Sequence, residues 1–258
     1  MKLAVLVLLL AACRTGMDDY PYGTGGSPPL GHGSNGDAVD AGVDDSGDGG
    51  DGDAGAQITG RVCLINDLRL AGVTAGCATT GVDKLSLVVS LGTRTASPTA
   101  DGSFSIGAPQ GAGFTWHVSG PANTIVRSAM PFGTSNVIPV IRDARYIDLL
   151  QINGAQINEL EGSVVMRVVR GATVVVGVSA RSLDATNDTS GSFYDSTNLD
   201  TWATVSTGAF GVAWIPSIPI PVPARPVTVQ LSDQTGLLAS PTATLEDQTI
   251  TFLTEDLQ

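Results

Sequence analysis

Hydrophobic and polar positions alternate with period two through most of the chain after Gln57. In the stretch "FTWHVSG" this alternation places Phe114, Trp116 and Val118 on one face of an extended segment and His117 on the other. Such a pattern predicts half-buried strands. We therefore expect the aromatic side chains to lie in a core and the histidine to lie outside it.

Short apolar runs of this kind recur along the chain, separated by Gly, Pro, Asn and Asp. The candidate strands are "QITGRVCLI", "KLSLVVSLG", "GSFSIGA", "FTWHVSG", "TIVRSAM", "NVIPVI", "EGSVVMRVVRG", "TVVVGVSARSL", "TGAFGVAWIPSIPI", "PVTVQLS" and "QTITFLTEDL". Regularly spaced strands with turn signals between them are typical of an antiparallel sandwich. The predicted fold class is therefore mainly β.

One segment, "RDARYIDLLQINGAQINE", has a different period. Tyr146, Ile147, Leu149 and Leu150 recur at helical spacing, and Asn153-Gly154 is a stop signal. We predict a short helical linker over residues 142–158. It separates a first sandwich module, residues 57–141, from a second, residues 159–258.

The two modules share a weak sequence similarity, because "TADGSF" at residues 99–104 is similar to "TGAF" at residues 207–210. Each is followed by apolar alternation and a proline. We interpret the halves as two copies of one module. The second is less regular because an insertion, "DATNDTSGSFYDSTNLDTW" at residues 184–202, separates its strands.

The chain begins with a basic residue, Lys2, and ten apolar residues, Leu3 to Ala12. This run is shorter than the roughly 20 residues that span a bilayer as a helix, and it is typical of a secretory signal peptide, residues 1–12. It ends in "LAAC", which resembles the lipobox of bacterial lipoproteins. That resemblance implies cleavage before Cys13 and acylation of both its thiol and its amine. The alternative is an ordinary signal peptide with a chance cysteine.

Three acyl chains on Cys13 would form a lasting membrane anchor, whereas a single chain binds only reversibly. The next residue is Arg14, whereas in the enterobacterial version of the lipoprotein family an Asp at this position retains the protein at the inner membrane. By that analogy we expect a lipid-anchored protein of the Gram-negative cell outer membrane.

Residues 13–56 form a tether that is nearly all Gly, Asp, Ser, Pro and Ala, a composition that predicts disorder. Its aspartates, which repel one another, are at positions 18, 19, 37, 40, 44, 45, 48, 51 and 53. A neutral coil of this length would average roughly 35 to 40 Å between its ends, and the repulsion extends it further. The stretch "DSGDGGDGDAGA" lacks the spacing and the glutamate of an EF-hand loop, so no metal site is predicted.

The formal net charge of the 258 residues is −12 at pH 7. After residue 56 the chain carries 16 acidic and 11 basic residues, and the basic ones are scattered. Without a basic patch there is no electrostatic footprint for nucleic acid, and we exclude that partner.

The residues "ITGRV", a following strand and then "TADGSFSIGAPQG" resemble the carboxypeptidase regulatory-like domain, a transthyretin-like sandwich found on bacterial surface proteins. The resemblance covers roughly residues 57–141. It implies a hairpin turn at Asp101-Gly102, where Gly accepts a positive φ, with Phe104 and Ile106 directed into the core.

Cys63 and Cys77 lie within the first module. Exported chains meet an oxidising compartment, so a close pair of cysteines is interpreted as a disulfide. Closing a loop of about 15 residues contributes roughly 3 kcal/mol in the chain-entropy model. A metal-binding or reactive thiol pair is the alternative, but the spacing is not a metal spacing and no third ligand accompanies it.

We find no motif for catalysis or for a cofactor: no G-x-S-x-G, no H-E-x-x-H and no phosphate-binding loop. The histidines are His32 in the tether and His117 on a strand. The carboxylate pairs Glu159/Glu161 and Asp195/Asp200 could divide acid and base work, but surface solvation is the simpler interpretation. The predicted protein is not an enzyme, and it has no catalytic residues and no cofactor.

The insertion carries three aromatic residues, Phe193, Tyr194 and Trp202, among Asp, Asn, Ser and Thr. Such a mixture occurs where loops bind sugars or peptides, so these three are candidate ligand-binding residues. The alternative is that they cap the core of the module. The expected function is a lipid-anchored, non-catalytic binding or structural module with an envelope protein, peptide or glycan as partner. The alternatives are a hydrolase or peptidase accessory protein, or a secreted adhesin or inhibitor.

Overall fold

The computed structural model describes residues 56–158, 160–183, 191–198, 200–220 and 223–258, and in these ranges the chain is mainly β. The predicted signal peptide, Cys13 and nearly all of the tether lie outside the described residues. The strands are β1 (Gln57–Ile65), β2 (Val88–Leu91), β3 (Arg94–Ala96), β4 (Ser103–Gly107), β5 (Thr115–Ser119), β6 (Arg127–Pro131), β7 (Val137–Ile141), β8 (Glu161–Arg170), β9 (Thr173–Val174), β10 (Ser179–Ser182), β11 (Phe193–Tyr194), β12 (Val212–Pro219), β13 (Ala224–Asp233), β14 (Gly236–Ala239), β15 (Thr242–Glu246) and β16 (Thr249–Asp256).

These strands form three sheets within the described residues. A large sheet of nine strands has the order β11-β12-β8-β16-β6-β5-β2-β3, with β9 added beside β8. A small sheet, β4-β1-β7, belongs to the first half of the chain, and in the second half β13 pairs with β10, β14 and β15. The two small sheets and the large one form two sandwiches.

The large sheet crosses the boundary between the predicted modules. Strand β16 pairs in parallel with β6 of the first half, from Thr249 opposite Arg127 to Thr251 opposite Ala129. On its other side β16 pairs in parallel with β8. The two sandwiches are thus continuous through one sheet, a relationship that the sequence pattern did not indicate.

Two cores lie on opposite faces of the large sheet. On β8, Val165 packs in the core that contains the small sheet of the first half, whereas its neighbours Val164 and Met166 pack in the core of the second half. Strand β12 divides in the same way, with Trp214 in the first core and Ile215 in the second. Successive side chains of a strand point to opposite faces, so a strand covered on both faces has a continuous apolar run.

The predicted helix is confirmed as α1 (Asp143–Ile152). Tyr146, Leu149 and Leu150 are buried, and Ile147 is 42% exposed. The helix ends at Asn153, and Gly154 follows with a φ of 66°, the left-handed conformation that favours glycine after a helix.

The first strand prediction, "QITGRVCLI", matches β1 at both ends. The stretch "KLSLVVSLG" is extended only from Val88, because a 3₁₀ turn at Asp83–Leu85 and a left-handed Ser86 precede it. The stretch "TVVVGVSARSL" is divided between β9 and β10. Strands β3, β11, β14 and β15 were not predicted, and they are two to five residues long.

The predicted hairpin at Asp101-Gly102 is a turn, but the strands that flank it do not pair with each other. Strand β3 pairs with β2 of the large sheet, whereas β4 pairs with β1 of the small sheet, so this turn carries the chain from one layer of the sandwich to the other. Gly102 has a φ of 89°, and a Cβ there would lie 2.2 Å from the carbonyl oxygen of Val62. Phe104 and Ile106 are buried as expected.

The disulfide between Cys63 and Cys77 is confirmed. Cys63 is in β1 and is fully buried, and Cys77 lies at the end of a run of short 3₁₀ turns that begins at Leu68. The bond fastens this irregular segment to the small sheet.

Candidate functional site

A groove of about 730 Å³ lies beside α1, between the helix and the loop that joins β5 to β6. We call it the α1 groove. Its lining residues are Gly120, Pro121, Ala122, Asn123, Ile125, Val126, Arg127, Asp143, Tyr146, Ile147, Leu150, Ile157, Asn158 and Gln248. Its volume is in the range of small-molecule and peptide side-chain pockets.

The floor of the α1 groove is apolar. Ile125, Tyr146 and Leu150 are buried members of the first core, and Val126 and Ile157 pack against that core. Ile147 stands on the exposed side of α1, because residues one and two positions apart on a helix, as Tyr146 and Leu149 are from Ile147, point in different directions. The groove therefore offers aliphatic surface to an occupant.

The rim of the groove is polar. The Arg127 guanidinium contacts Asp247 at both its backbone carbonyl and its carboxylate, which fixes this cation at one end. Asn123 and Gln248 are exposed and hold left-handed backbone conformations, with φ of 60° and 48°. Apolar floors with a few placed polar groups are the usual composition of ligand pockets.

Tyr146 has an unusual environment at the base of the groove. Its side chain is 2% exposed, and its hydroxyl makes no hydrogen bond to any described residue. Burial raises the pKa of Tyr146 to about 12, and the polar groups of Ser163 and Trp214, which are hydrogen-bonded to each other at 3.1 Å, oppose that rise. The phenol is therefore a neutral group throughout the physiological range.

The groove lies far from the point where the chain enters the fold. Strand β1 begins at Gln57, paired with Gly107, and ends at Ile65, paired with Ile141 directly before α1. Nine residues of strand span roughly 26 to 30 Å. The α1 groove and the entry of the chain are thus at opposite ends of β1.

The three candidate ligand-binding aromatics lie in the cores. Phe193 and Trp202 are 6% and 7% exposed, and both rings pack against the buried ring of Trp214, with centroids 5.4 Å away in each case. Tyr194 is 3% exposed in the second core, and its hydroxyl is hydrogen-bonded to the backbone of Ala180. They offer no exposed platform, and their contacts are those of core-capping residues.

The carboxylates considered for acid and base work have structural partners. Asp195 accepts hydrogen bonds from the backbone N–H groups of Gly208, Phe210 and Val212, at 2.7 to 2.8 Å. Asp200 forms an ion pair with Arg145 at 2.7 Å. These two residues are therefore not a carboxylate pair that shares a substrate.

Of the other pair, residue 159 lies outside the described ranges. Glu161 accepts a hydrogen bond from the Ser217 hydroxyl at 2.7 Å and another from the backbone N–H of Asn158. Through these two bonds Glu161 joins the segment that leads from α1 into β8 to Ser217 of β12.

His117 lies outside the first core, as predicted, and joins the two halves. Its Nε2 is 2.7 Å from the Glu246 carboxylate, which lies at the end of β15 in the second half. Both side chains are about one-third exposed. The arrangement ties strand β5 to the end of β15, just before the turn that leads into β16.

The described ranges contain no cluster of three or more potential metal-ligating His, Cys, Asp or Glu side chains. No helix among the described residues has the length and the hydropathy needed to span a membrane.

Sequence reasoning missed the α1 groove. The helix itself was predicted, but Ile147, grouped there with its buried positions, is exposed. The loop at residues 120–127 meets the start of α1 through the backbone hydrogen bond from Asp143 to Thr124, and Gln248 reaches the groove through the parallel pairing of β16 with β6. The sequence signal that could have suggested a site was Ile147, an apolar residue that lies beside, and not on, the helix face formed by Tyr146, Leu149 and Leu150.

Comparison with known proteins does not assign the chain to a family. No family model matches the chain, and no curated protein matches it. Among solved structures the chain is similar to the Gamma-CGTase from alkalophilic Bacillus clarkii, at 12% sequence identity and a TM-score of 0.23. The alignment covers 66% of this chain and 23% of that one, so this chain spans about a quarter of the length of the protein it matches.

Proposed function

We propose that this protein is a lipid-anchored component of the Gram-negative outer membrane, and that its folded part is a non-catalytic module that binds a partner in the α1 groove. The observation that carries the proposal is the order of the segments: an apolar run that ends in "LAAC", an acidic tether, and then a β-sandwich. An anchor, a spacer and a folded head make up a protein that presents a surface at a distance from a membrane.

Two features of the fold support the binding role. The α1 groove combines an aliphatic floor with a polar rim, and it lies at the end of β1 opposite Gln57. The non-catalytic part of the proposal is supported by the structural partners of His117, Asp195, Asp200 and Glu161.

Membrane fractionation tests the anchor. The natural chain and Cys13→Ser are expressed in a Gram-negative host, and the N-terminal peptide of each mature protein is identified by mass spectrometry. We expect an acylated Cys13 and recovery in the outer membrane for the natural chain, and a soluble or uncleaved product for Cys13→Ser. Equal recovery of both proteins in the membrane would contradict the anchor.

Site-specific photo-crosslinking tests the binding surface. A photoreactive residue replaces Ile147, which is 42% exposed in the α1 groove, and the matched control replaces Leu237, which is 62% exposed on β14. We expect a discrete crosslinked species from position 147 and none from position 237. If both positions give the same products, or if neither gives any on intact cells, the groove is not the binding surface.

A further inference from the structure

Arg69 connects the loop between β1 and β2 to the second half of the chain. Its side chain is 1% exposed, and its Nε and one terminal nitrogen donate to the Asp67 carboxylate at 2.7 to 3.0 Å. Its other terminal nitrogen donates to the backbone carbonyls of Ser196 and Asn198. A buried guanidinium thus fixes the segment that follows β11.

Arg69 and Asp67 lie inside the covalent ring that the Cys63–Cys77 disulfide closes, at a sequence separation of 14. The same ring holds Asn66, whose carbonyl accepts a hydrogen bond from the Arg145 side chain at 2.9 Å. It also holds Leu68, which is fully buried. The residues of the ring therefore contact both α1 and the segment at residues 196–198.

The clamped segment connects two aromatic residues of the first core. Phe193 precedes it and Trp202 follows it, and both pack against Trp214. A second attachment holds Trp202, since its backbone N–H donates to the Asn153 side chain at 2.8 Å. Loss of the Arg69 contacts would therefore loosen residues 193–198 first and the packing of Trp202 on Trp214 second.

We propose that the Cys63–Cys77 disulfide is a redox-sensitive clamp that acts through Arg69 on the carbonyls of Ser196 and Asn198. The reductant is a dithiol. One thiolate attacks the sulfur of Cys77, the less buried partner, so that a mixed disulfide forms and Cys63 leaves as a thiolate that takes up a proton. The second thiol of the reductant then displaces Cys77, and the products are two protein thiols and an oxidised reductant.

The physical basis is the freedom that the ring gains. Without the cross-link, the irregular residues 66–77, which include Asp67 and Arg69, are held by noncovalent contacts alone, so this segment opens locally at a lower cost in free energy. The charge-assisted hydrogen bonds of a guanidinium are geometrically specific, so a displaced Arg69 cannot keep all of them. We therefore expect reduction to loosen residues 193–198, more than a hundred positions away in the sequence.

Hydrogen exchange measured by mass spectrometry tests the clamp on the full chain. Exchange is compared with and without dithiothreitol, which supplies the dithiol, and reduction is verified by thiol labelling of Cys63 and Cys77. We expect exchange in residues 193–198 to be about tenfold faster or more in the reduced protein. Exchange in β13, whose apolar residues pack in the second core, should be unchanged.

Arg69→Lys keeps the disulfide and tests the route. Lysine retains the charge but cannot bond to a carboxylate and two carbonyls in the same planar arrangement, so we expect accelerated exchange at residues 193–198 under oxidising conditions. Arg94→Lys, an exposed arginine on β3, is the matched control and should have no effect. Unchanged protection at residues 193–198 in either the reduced protein or Arg69→Lys would overturn the proposal, even if a chain lacking both cysteines fails to fold.

Discussion

The hydroxyl of Tyr194 is bonded twice to the backbone of Ala180: it accepts from the N–H at 2.9 Å and donates to the carbonyl at 3.0 Å. Ala180 lies in β10, which pairs with β13 on its other side. One side chain of the large sheet thus satisfies a buried donor and a buried acceptor that a neighbouring strand would otherwise have to bond. The contact holds the two sheets of the second sandwich together.

Tyr194→Phe should destabilise the protein by about 1 to 3 kcal/mol, because it leaves buried backbone groups of Ala180 without partners while it preserves the ring. Chemical denaturation gives the free energy of unfolding. Tyr146→Phe is the matched control, since that hydroxyl is also buried but makes no hydrogen bond to a described residue. We expect it to be neutral or stabilising by up to about 1 kcal/mol. Equal losses in the two variants would contradict the assigned role of Tyr194.

Tyr146 should also make stability depend on pH in the alkaline range. Its pKa is raised by burial from 10.0 to about 12. Between those values the unfolded chain releases the phenolic proton and the folded protein retains it, so stability falls as the pH rises. At about 1.4 kcal/mol for each unit of pKa shift, the loss is about 2 kcal/mol at pH 12 and stays below about 3 kcal/mol above it.

The difference between the natural protein and Tyr146→Phe isolates this effect from the titration of other groups. Their free energies of unfolding should differ by a constant amount below pH 10 and should diverge above it, with the natural protein losing more. A constant difference up to pH 12 would show that the phenol is accessible to solvent in the folded state.

Asp195 is a buried structural carboxylate, 2% exposed, whose two oxygens accept three backbone N–H groups from the turn that precedes β12. Asp195→Asn replaces one acceptor oxygen by an N–H₂ group that opposes a backbone donor. Hydrogen bonds to charged groups contribute about 1.5 to 3 kcal/mol each, so we expect a loss of at least that size in the free energy of unfolding. Asp200→Asn, at a half-exposed ion pair, is the control and should cost less than about 1 kcal/mol.

The hydrogen bonds between Asp195 and this turn can also be tested by a substitution in the turn itself. At Gly208 an added Cβ would lie 2.6 Å from the backbone oxygen of Asp195 and 2.8 Å from its carboxylate. Gly208→Ala should therefore be destabilising as well, and less than additive with Asp195→Asn, because both changes disrupt one set of bonds. Fully additive losses would mean that the two residues act independently.

The elements with a strong local pattern were predictable from the sequence. Helix α1 has its apolar positions at helical spacing and a stop at Asn153-Gly154, and β1 and β5 have a clear alternation or apolar run. The disulfide followed from the number and spacing of the cysteines. These features depend on residues that are close together in the chain.

The features that sequence could not supply depend on pairing between distant strands. The sequence "VVMRVV" in β8 does not reveal that both faces of the strand are buried, because a continuous apolar run is compatible with several environments. The pairing of β16 with β6 brings Gln248 to the α1 groove. For the same reason Phe193 and Trp202 of the insertion could not be assigned to a surface or a core from the sequence, because their burial depends on packing against the distant Trp214.

Asp101 gives a prediction at acidic pH. Hydrogen bonds lower its pKa from 3.8 to about 2, and the largest contribution comes from the Thr99 hydroxyl, followed by the backbone N–H and the hydroxyl of Ser103. A carboxylate with a lowered folded-state pKa stabilises the protein at pH values above its unfolded-state pKa, and this stabilisation is lost as the pH falls through about 2.

Thr99→Val removes the hydroxyl while it keeps a branched side chain of similar size. We expect the Asp101 carboxyl, followed by NMR, to titrate near pH 2 in the natural protein and at a higher pH in Thr99→Val. Asp233, whose pKa is also lowered but through Thr235, serves as the internal control and should titrate at the same pH in both proteins. If the Asp101 midpoint does not move, the side chain of Thr99 is not what holds this turn at the corner between the two sheets.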